Sequence, residues 1–200
     1  NALLLLIVCG IAAVVFPFGP DRVRVGEEKE PFYYAALLLC MAGLAGITIT
    51  GDAFNVFVFV EITSLSSYTL IAMGRERQAL KAAFDYLIMG TIGGTFILLG
   101  IGLLYAATGT LNMVDLAERL AVAKGQRTVV MAFAFFVVGA SIKLAVYPLH
   151  QWLPNAYTYA PPKASAFLAA TATKVSFYVL VRAIYTIFGA TFVFGVLRLH

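Results

Sequence analysis

The sequence carries little charge. Of its 200 residues only 12% are Asp, Glu, Lys or Arg, whereas 62% are hydrophobic. Soluble domains carry about 25% charged residues, so this chain has too few charges to cover a water-facing surface. The net charge of +4 is small, and the basic residues stand mostly between hydrophobic runs. This composition excludes a nucleic-acid-binding surface and predicts a protein that lies in a lipid bilayer.

Residues that hold metals or carry electrons are also scarce. The chain has two cysteines, Cys9 and Cys40, each inside a hydrophobic run, and only two histidines. It has no C-x-x-C set, haem-type histidine pair, glycine-rich nucleotide loop or nucleophile elbow. We therefore expect no cofactor site, no metal site and no catalytic residue in this chain. Whether it acts as part of an enzyme complex stays open.

Long hydrophobic runs make up most of the chain. Six can be marked: Ala2–Phe18, Phe32–Thr50, Phe54–Met73, Ala82–Ala107, Thr128–Tyr147 and Ala164–Gly189. A membrane-spanning helix needs about 20 apolar residues, so the sequence predicts an all-α, polytopic transmembrane bundle of five to six spans. The first run is short and lacks the basic start of a signal peptide. We therefore expect the chain to begin partway through a longer protein.

The basic residues between the runs indicate an orientation. One side of the predicted bundle collects Arg22, Arg24, Lys29, Arg75, Arg77, Lys81 and Lys163, and the other collects Arg119, Lys124, Arg127 and Arg198. The positive-inside rule places the richer side in the cytoplasm, so the third run crosses from outside to inside. Residues 110–127 alternate apolar and charged positions, which predicts a short helix in the membrane interface.

Three ionisable residues lie deep inside hydrophobic runs: Glu61, Lys143 and Lys174. A charge at the centre of a membrane helix costs about 2.5–3.5 kcal/mol on insertion scales, and such residues usually mark an ion or proton path. Glu61 can neutralise Lys143, but no second buried acid remains for Lys174. The alternative that Glu61 and Lys143 form only a structural ion pair stays open.

The stretch SIKLAVYPLHQWLPNAYTYAPPKAS (141–165) predicts a discontinuous helix. Pro148 lacks a backbone donor and clashes with the preceding turn, so the helix carrying Lys143 should break near it. Such breaks are tolerated in membranes where protein or water satisfies the freed carbonyls. Histidine exchanges protons near neutral pH, so His150 and Lys143 together suggest a hydrated crevice. Alternatively, His150 is an interfacial residue beside Trp152.

Other polar candidates give weaker signals. Asp85, near the start of its run, can extend to the interface or face a cavity. Tyr68 and the Ser and Thr residues of ITSLSSYT (62–69) form a possible secondary polar path, although hydroxyl groups in helices more often bond back to their own backbone. Gly90 and Gly94 form a GxxxG pattern, which predicts a helix-packing seam.

Four segments resemble one known family. They are GDAFNVFVFVEITSLSSYTLIAMG (51–74), GIGLLYAATGTLNMVDLA (100–117), KLAVYPLHQWLPNAYTYAPPKAS (143–165) and TKVSFYVLVR (173–182). They resemble the proton-conducting membrane transporter family, which contains antiporter-like subunits of respiratory complex I, subunits of membrane-bound hydrogenases and large subunits of Mrp-type Na+/H+ antiporters. The GD-x-FN turn, the TLNM segment and the TKV motif are most similar to the D-type subunits of Mrp Na+/H+ antiporters.

The resemblance implies a role for each matching residue. Glu61 matches the glutamate of the family's fifth helix, which pairs with a lysine on the seventh, and Lys143 matches that lysine. Lys174 matches an eighth-helix lysine that passes protons along a central polar axis, and His150 matches a histidine common near that relay. Asp85 departs from the pattern, because many members have lysine there.

The family also implies an organisation. Its members carry two inverted repeats of five helices, and this chain resembles the first. We expect a partial N-terminal span and cytoplasmic loop over residues 1–31, the five-helix antiporter-like repeat over 32–189, and the start of a following segment over 190–200.

The expected function is proton translocation, with Na+ as a candidate counter-ion. Moving or neutralising Glu61 would make Lys143 easier to deprotonate. The released proton would then pass by way of His150 towards Lys174. The expected partners are the lipid bilayer and other membrane subunits of an Mrp-type or complex I-like assembly in a bacterial or archaeal cell membrane. Two alternatives remain: an accessory proton-pumping subunit of an NADH/quinone oxidoreductase or membrane-bound hydrogenase, and a structural membrane scaffold.

Overall fold

The protein is built from helices. The structure, a computed structural model, describes residues 1–17, 27–123 and 126–196. Within these ranges the helices are α1 (Ala2–Val15), α2 (Glu30–Ile49), α3 (Ala53–Ala72), α4 (Arg77–Thr108), α5 (Met113–Ala123), α6 (Arg127–Leu144), α7 (Trp152–Tyr159) and α8 (Pro162–Arg182). A short 3-10 turn, Glu27–Lys29, precedes α2, and π-helical turns over Ala183–Phe188 and Thr191–Val196 follow α8. The predicted all-α class is confirmed.

Five of the described helices are long and apolar enough to cross a membrane. They are α2, α3, α4, α6 and α8 with its extension to Phe188, and they contain 18 to 32 residues. At a rise of about 1.5 Å per residue, each reaches close to or beyond the hydrocarbon thickness of about 30 Å. Large apolar side chains such as Leu80, Phe84 and Phe177 are exposed on the outside of the bundle, as expected of lipid-facing positions. The predicted polytopic bundle is confirmed.

The loops gather at two opposite ends of the bundle. At one end, the amide of Met113 donates to the Gly51 carbonyl and the amide of Ala53 to the Leu111 carbonyl, both at 2.9 Å. At the other end, a Cβ added to Gly74 would lie 2.1 Å from the Tyr159 carbonyl oxygen. The described loops before α3 and before α5 therefore share one end, and those after α3 and after α7 share the other, as the basic-residue pattern assumes. Four residues counted in that pattern, Arg22, Arg24, Lys124 and Arg198, lie outside the described ranges.

The helix that carries Lys143 breaks near Pro148, as predicted. α6 ends at Leu144, Ala145 is left-handed with φ 58°, and the Tyr147–Pro148 peptide is cis. A longer helix would need the amide of residue 148 to bond the Leu144 carbonyl, and a proline ring instead collides with that carbonyl. The indole Nε1 of Trp152 in α7 donates to the Ile142 carbonyl at 3.1 Å. This bond ties the two sides of the break together.

Glycines let α4 and α6 approach closely. A Cβ on Gly139 would lie 2.5 Å from the Gly93 carbonyl oxygen, and one on Gly100 would lie 2.9 Å from the Ala132 carbonyl oxygen. The GxxxG pair predicted as a packing seam, Gly90 and Gly94, faces side chains of α3. The backbone seam between these helices therefore uses Gly93, Gly100 and Gly139.

Candidate functional site

Glu61 of α3 and Lys143 of α6 meet inside the bundle. The Lys143 Nζ lies 3.2 Å from the Glu61 Oε1, and the two side chains are 5% and 24% exposed. Opposite charges attract more strongly in a low-dielectric interior than in water, and removing one of them leaves the other buried without a partner. The pair is therefore electrostatically coupled.

Ser64 is a third member of the site. Its Oγ accepts a hydrogen bond of 2.6 Å from Lys143 Nζ, while its own hydroxyl donates to the Val60 carbonyl at 2.8 Å. Glu61 and Ser64 are three residues apart, so they share one face of α3. Sequence reasoning noted Ser64 only within its polar cluster, and this spacing was the signal that could have joined it to Glu61.

The other hydroxyl groups of that cluster follow the backbone-bonding alternative. Thr63, Ser66 and Ser67 each donate to a carbonyl four residues earlier in α3, at 2.9, 2.7 and 2.7 Å. Such bonds satisfy the hydroxyl inside its own helix. Ser64 differs because it also accepts from Lys143.

A small cavity lies beside Lys143. The space open to the centres of water molecules is about 30 Å³, and its polar lining comes from Thr63, Ser64, Lys143 and Ser176 among mostly apolar neighbours. One water needs about 10–15 Å³ by this measure, so the cavity has room for a hydrating molecule. Ser176, which lies on α8, and Lys143 both line this cavity.

Gly90 and Gly94 receive polar side chains of α3. A Cβ on Gly94 would lie 2.2 Å from Glu61 Oε1, and one on Gly90 would lie 1.8 Å from the Tyr68 hydroxyl oxygen. Tyr68 is 5% exposed, and its hydroxyl makes no hydrogen bond with any residue that the structure describes. Its ring packs edge-on against Tyr86, which stacks on Trp152.

Lys174 lies away from the Glu61–Lys143 pair. Its side chain is exposed on α8, and its ammonium donates to the Ala169 carbonyl of the same helix. Two residues along a helix turn the chain by more than half a revolution, so Ser176 faces the cavity and Lys174 does not. The structure thus leaves Lys174 without a direct contact to the other predicted relay residues in the described part of the chain.

His150 and Asp85 also stand apart from the pair. His150 follows the break in α6; its buried Nδ1 has no partner among the described residues, and its ring centre lies 5.5 Å from that of Tyr147. Asp85 is half-buried in α4 and makes no hydrogen bond or ion pair within the described ranges. Neither side chain is brought to Glu61 or Lys143.

Lys163 is a buried residue that sequence reasoning missed. It was counted as a loop charge, but it lies in the first turn of α8 and is only 7% exposed. Its Nζ donates to the Tyr34 hydroxyl at 3.0 Å and to the Phe16 carbonyl at 3.4 Å. No local sequence signal reveals this, because the partners come from α2 and the end of α1.

Comparison with known proteins places this chain in a family. The profile of the family described as NADH:quinone oxidoreductase/Mrp antiporter, TM, matches residues 50–196. The chain belongs to this family. With five apolar helices of spanning length, it is an integral membrane protein, and the resemblance read from its motifs is confirmed.

Two curated members are similar over most of the chain. The N subunit of NADH-quinone oxidoreductase from Desulforudis audaxviator is 48% identical over 176 residues, which cover 88% of this chain and 35% of that protein. The D subunit of the Na(+)/H(+) antiporter from Bacillus subtilis is 39% identical over 168 residues, which cover 82% of this chain and 34% of that protein. The chain therefore spans about a third of the length of these relatives.

A solved structure has the same fold. A chain of the membrane-bound sulfane sulfur reductase, an archaeal respiratory membrane complex, superposes with a TM-score of 0.82 at 31% identity, covering 94% of this chain and 38% of that one. The helix arrangement described above is therefore shared with a subunit of a multi-subunit membrane complex.

Proposed function

We propose that this chain is part of a proton-translocating membrane subunit and carries a switchable Glu61–Lys143 pair. The observation that carries the proposal is the 3.2 Å ion pair between Glu61 and Lys143, buried beside a water-sized cavity in a helix that ends one residue after the lysine. A permanent structural pair would not need the cavity or the break.

The pair controls the proton on Lys143. While the Glu61 carboxylate and Ser64 Oγ accept from the ammonium, the charge of Lys143 is compensated. When the carboxylate moves away or is protonated, the ammonium is left as an uncompensated buried charge, which is strongly unfavourable. Lys143 then releases its proton, and it takes up another when Glu61 returns.

The cavity beside Lys143 can hold a water molecule that accepts the released proton. Its wall on α8 includes Ser176, and water held there can accept a proton from the amine. We propose Lys174 and His150 as later stations, and Asp85 and Tyr68 as groups of a secondary polar path. Because Lys174 is exposed on the far side of α8, the step to it needs water or another protein segment.

The names of the relatives suggest the wider assembly. One relative is an Na(+)/H(+) antiporter subunit and another a subunit of NADH-quinone oxidoreductase, and the solved structure belongs to a respiratory membrane complex. We propose that this chain works with other membrane subunits in a bacterial or archaeal cell membrane. It would move H+, either in exchange for Na+ or driven by a redox reaction in partner subunits.

The redox-driven role is a second candidate function. The 48% identity to the NADH-quinone oxidoreductase relative favours it, and it places the electron-transfer chemistry in other chains. A buffer-imposed Na+ gradient distinguishes the two: it drives proton movement through an antiporter and leaves a redox-driven subunit unaffected.

Replacing Lys143 tests the proposal. We expect Lys143→Ala to abolish proton uptake by proteoliposomes that contain the intact protein with its partner subunits, whereas Lys81→Ala, at an exposed position on α4, retains it. Removing one member of a buried pair can cost about 3–5 kcal/mol of stability. The double variant Glu61→Gln with Lys143→Met therefore serves as a second test, because it removes both charges.

The double variant also distinguishes a proton-relay function of the chain from a purely structural one. A scaffold keeps full transport when both charges are replaced and assembly is preserved. We expect an assembled complex that no longer moves protons, and full transport in either variant would remove the proposal.

A further inference from the structure

The face of α4 that lies opposite α3 carries two glycines, Gly90 and Gly94, and this glycine face sets the position of Glu61. An added Cβ at Gly94 would lie 2.2 Å from Glu61 Oε1 and 3.0 Å from its carboxyl carbon, which is far inside contact distance. The carboxyl group that pairs with Lys143 therefore occupies the space that any other residue at position 94 would fill. This arrangement bears on the proposed function, on which the inference below rests.

A second polar group points at the same face one turn away. The Tyr68 hydroxyl is aimed at Gly90, where an added Cβ would lie 1.8 Å from its oxygen. Tyr68 is 5% exposed, and its hydroxyl makes no hydrogen bond of standard geometry within the described ranges, although the Ser64 side chain lies near it. A buried hydroxyl without a partner is unfavourable by about 1–3 kcal/mol, so this one needs an acceptor in some state of the protein.

We propose that Gly94 is a positioning residue for Glu61, and that the Tyr68 hydroxyl is the second partner of the Glu61 carboxylate when it leaves Lys143. Gly90 and Gly94 are four residues apart, so their bare Cα atoms lie about 6 Å apart along one face of α4. Glu61 and Tyr68 are seven residues apart and share one face of α3. On the α4 side, the surface between the ammonium and the hydroxyl therefore carries no side chain at positions 90 and 94, which leaves room for the carboxylate to move.

The proposed movement gives the pair two satisfied states. In the first, Glu61 accepts from Lys143, as the structure shows. In the second, Glu61 accepts from the Tyr68 O–H, and Lys143 has lost its negative partner. The two states differ in which donor the carboxylate holds, which is the property that a proton switch requires.

Gly94 and its neighbours provide their own controls. Gly102 lies on the same helix, and an added Cβ there would meet nothing within 4 Å. Gly93 faces a different helix and packs on Gly139 and Ile142 of α6. Alanine at position 102 thus tests the loss of a helix glycine alone, and alanine at position 93 tests damage to helix packing.

The first test compares Gly94→Ala with Gly102→Ala in the reconstituted complex. The carboxyl end of Glu61 is flexible, so a methyl group at position 94 should displace it rather than the helices. A shift of about 1 Å at a reacting group can cost about 100-fold in rate, and we expect proton transport to fall at least about tenfold in Gly94→Ala. Gly102→Ala should transport like the unaltered protein.

Rescue distinguishes positioning from packing. Glu61→Asp shortens the side chain by one methylene and makes room for the new methyl group, so adding it to Gly94→Ala should raise transport above that of Gly94→Ala alone. A packing defect, as expected for Gly93→Ala, would lower thermal stability and would not respond to Glu61→Asp.

The second test removes the Tyr68 hydroxyl. Because that oxygen has no hydrogen bond of standard geometry with a described residue in the present state, Tyr68→Phe should raise the melting temperature or leave it unchanged, and it should slow proton transport. Transport in Gly94→Ala equal to that in Gly102→Ala, failure of Glu61→Asp to raise it, or full transport in Tyr68→Phe would each overturn the inference. Full transport in Glu61→Gln would instead overturn the proposed function, so the two failures are distinguishable.

Discussion

The ammonium of Lys143 donates to two acceptors and lies beside a cavity. A lysine ammonium has three N–H donors, and the Glu61 carboxylate and Ser64 hydroxyl take two of them. No described residue accepts the third, and the adjoining cavity that Lys143 helps to line is large enough for a water molecule. In the proposed mechanism, Ser64 is the fixed partner and Glu61 is the exchangeable one.

Ser64 is therefore expected to matter more than the other serines of α3. We predict that Ser64→Ala lowers the free energy of unfolding by about 1.5–3 kcal/mol, the usual worth of a hydrogen bond to a charged group, and slows proton transport. Thermal unfolding in detergent and proton uptake by proteoliposomes measure the two effects.

Ser66→Ala is the matched control, because the Ser66 hydroxyl donates to the Ile62 carbonyl of its own helix and has no charged partner among the described residues. Equal stability and equal transport in Ser64→Ala and Ser66→Ala would show that the hydrogen bond from Lys143 to Ser64 contributes to neither.

At the residue scale, the charges were the predictable part of the site. Glu61 and Lys143 stood out because an unpaired charge is unfavourable in lipid in any fold. The contacts of Gly94 with Glu61 and of Lys163 with Tyr34 were not predictable. Each depends on which helix lies opposite, and no periodicity within one segment carries that information.

Among the elements, the two sides of the break between α6 and α7 are joined by a side-chain hydrogen bond. The Trp152 indole donates to the Ile142 carbonyl while its ring stacks on Tyr86 at 4.0 Å. Ile142 immediately precedes Lys143, so this bond fixes the last turn of α6 on which the lysine stands.

Trp152→Phe keeps an aromatic ring and removes the donor. We predict a loss of about 0.5–1.5 kcal/mol in the free energy of unfolding, the typical net worth of a hydrogen bond, together with slower proton transport. Chemical denaturation and proton uptake report the two quantities.

Tyr157→Phe provides the comparison within α7. It removes the bond from the Tyr157 hydroxyl to the Leu168 carbonyl, a contact with α8 and not with α6. We expect a similar loss of stability with transport retained, and slower transport in both variants alike would argue against a special role for the break.

The position of this break was predictable from the sequence because the chemistry of proline is local. Pro148 prevents the backbone bond to Leu144 in any environment, and α6 ends there. The indole bond across the break was not predictable, since it depends on how α7 folds back against α6. Likewise, the turn at Gly51 was visible in the sequence, but its pairing with the segment before α5 was not.

At the scale of the whole molecule, the exposed face of α8 stands out. Lys174 is exposed there beside the apolar Phe177, and it lies about 18 Å from the start of α8 at 1.5 Å per residue. An ammonium at that depth is costly against hydrocarbon. We therefore expect protein or water to cover this face in the assembled complex, in keeping with a chain that spans about a third of its relatives.

The central claim is that Lys143 must release its proton, and Lys143→Arg tests it most directly. Arginine keeps the positive charge and can pair with Glu61, but it does not deprotonate in proteins. We predict that reconstituted complex carrying Lys143→Arg assembles with unchanged thermal stability and shows no proton uptake above liposomes without protein. Proton uptake at the rate of the unaltered complex would contradict the account, because a charge that cannot leave its side chain would then suffice.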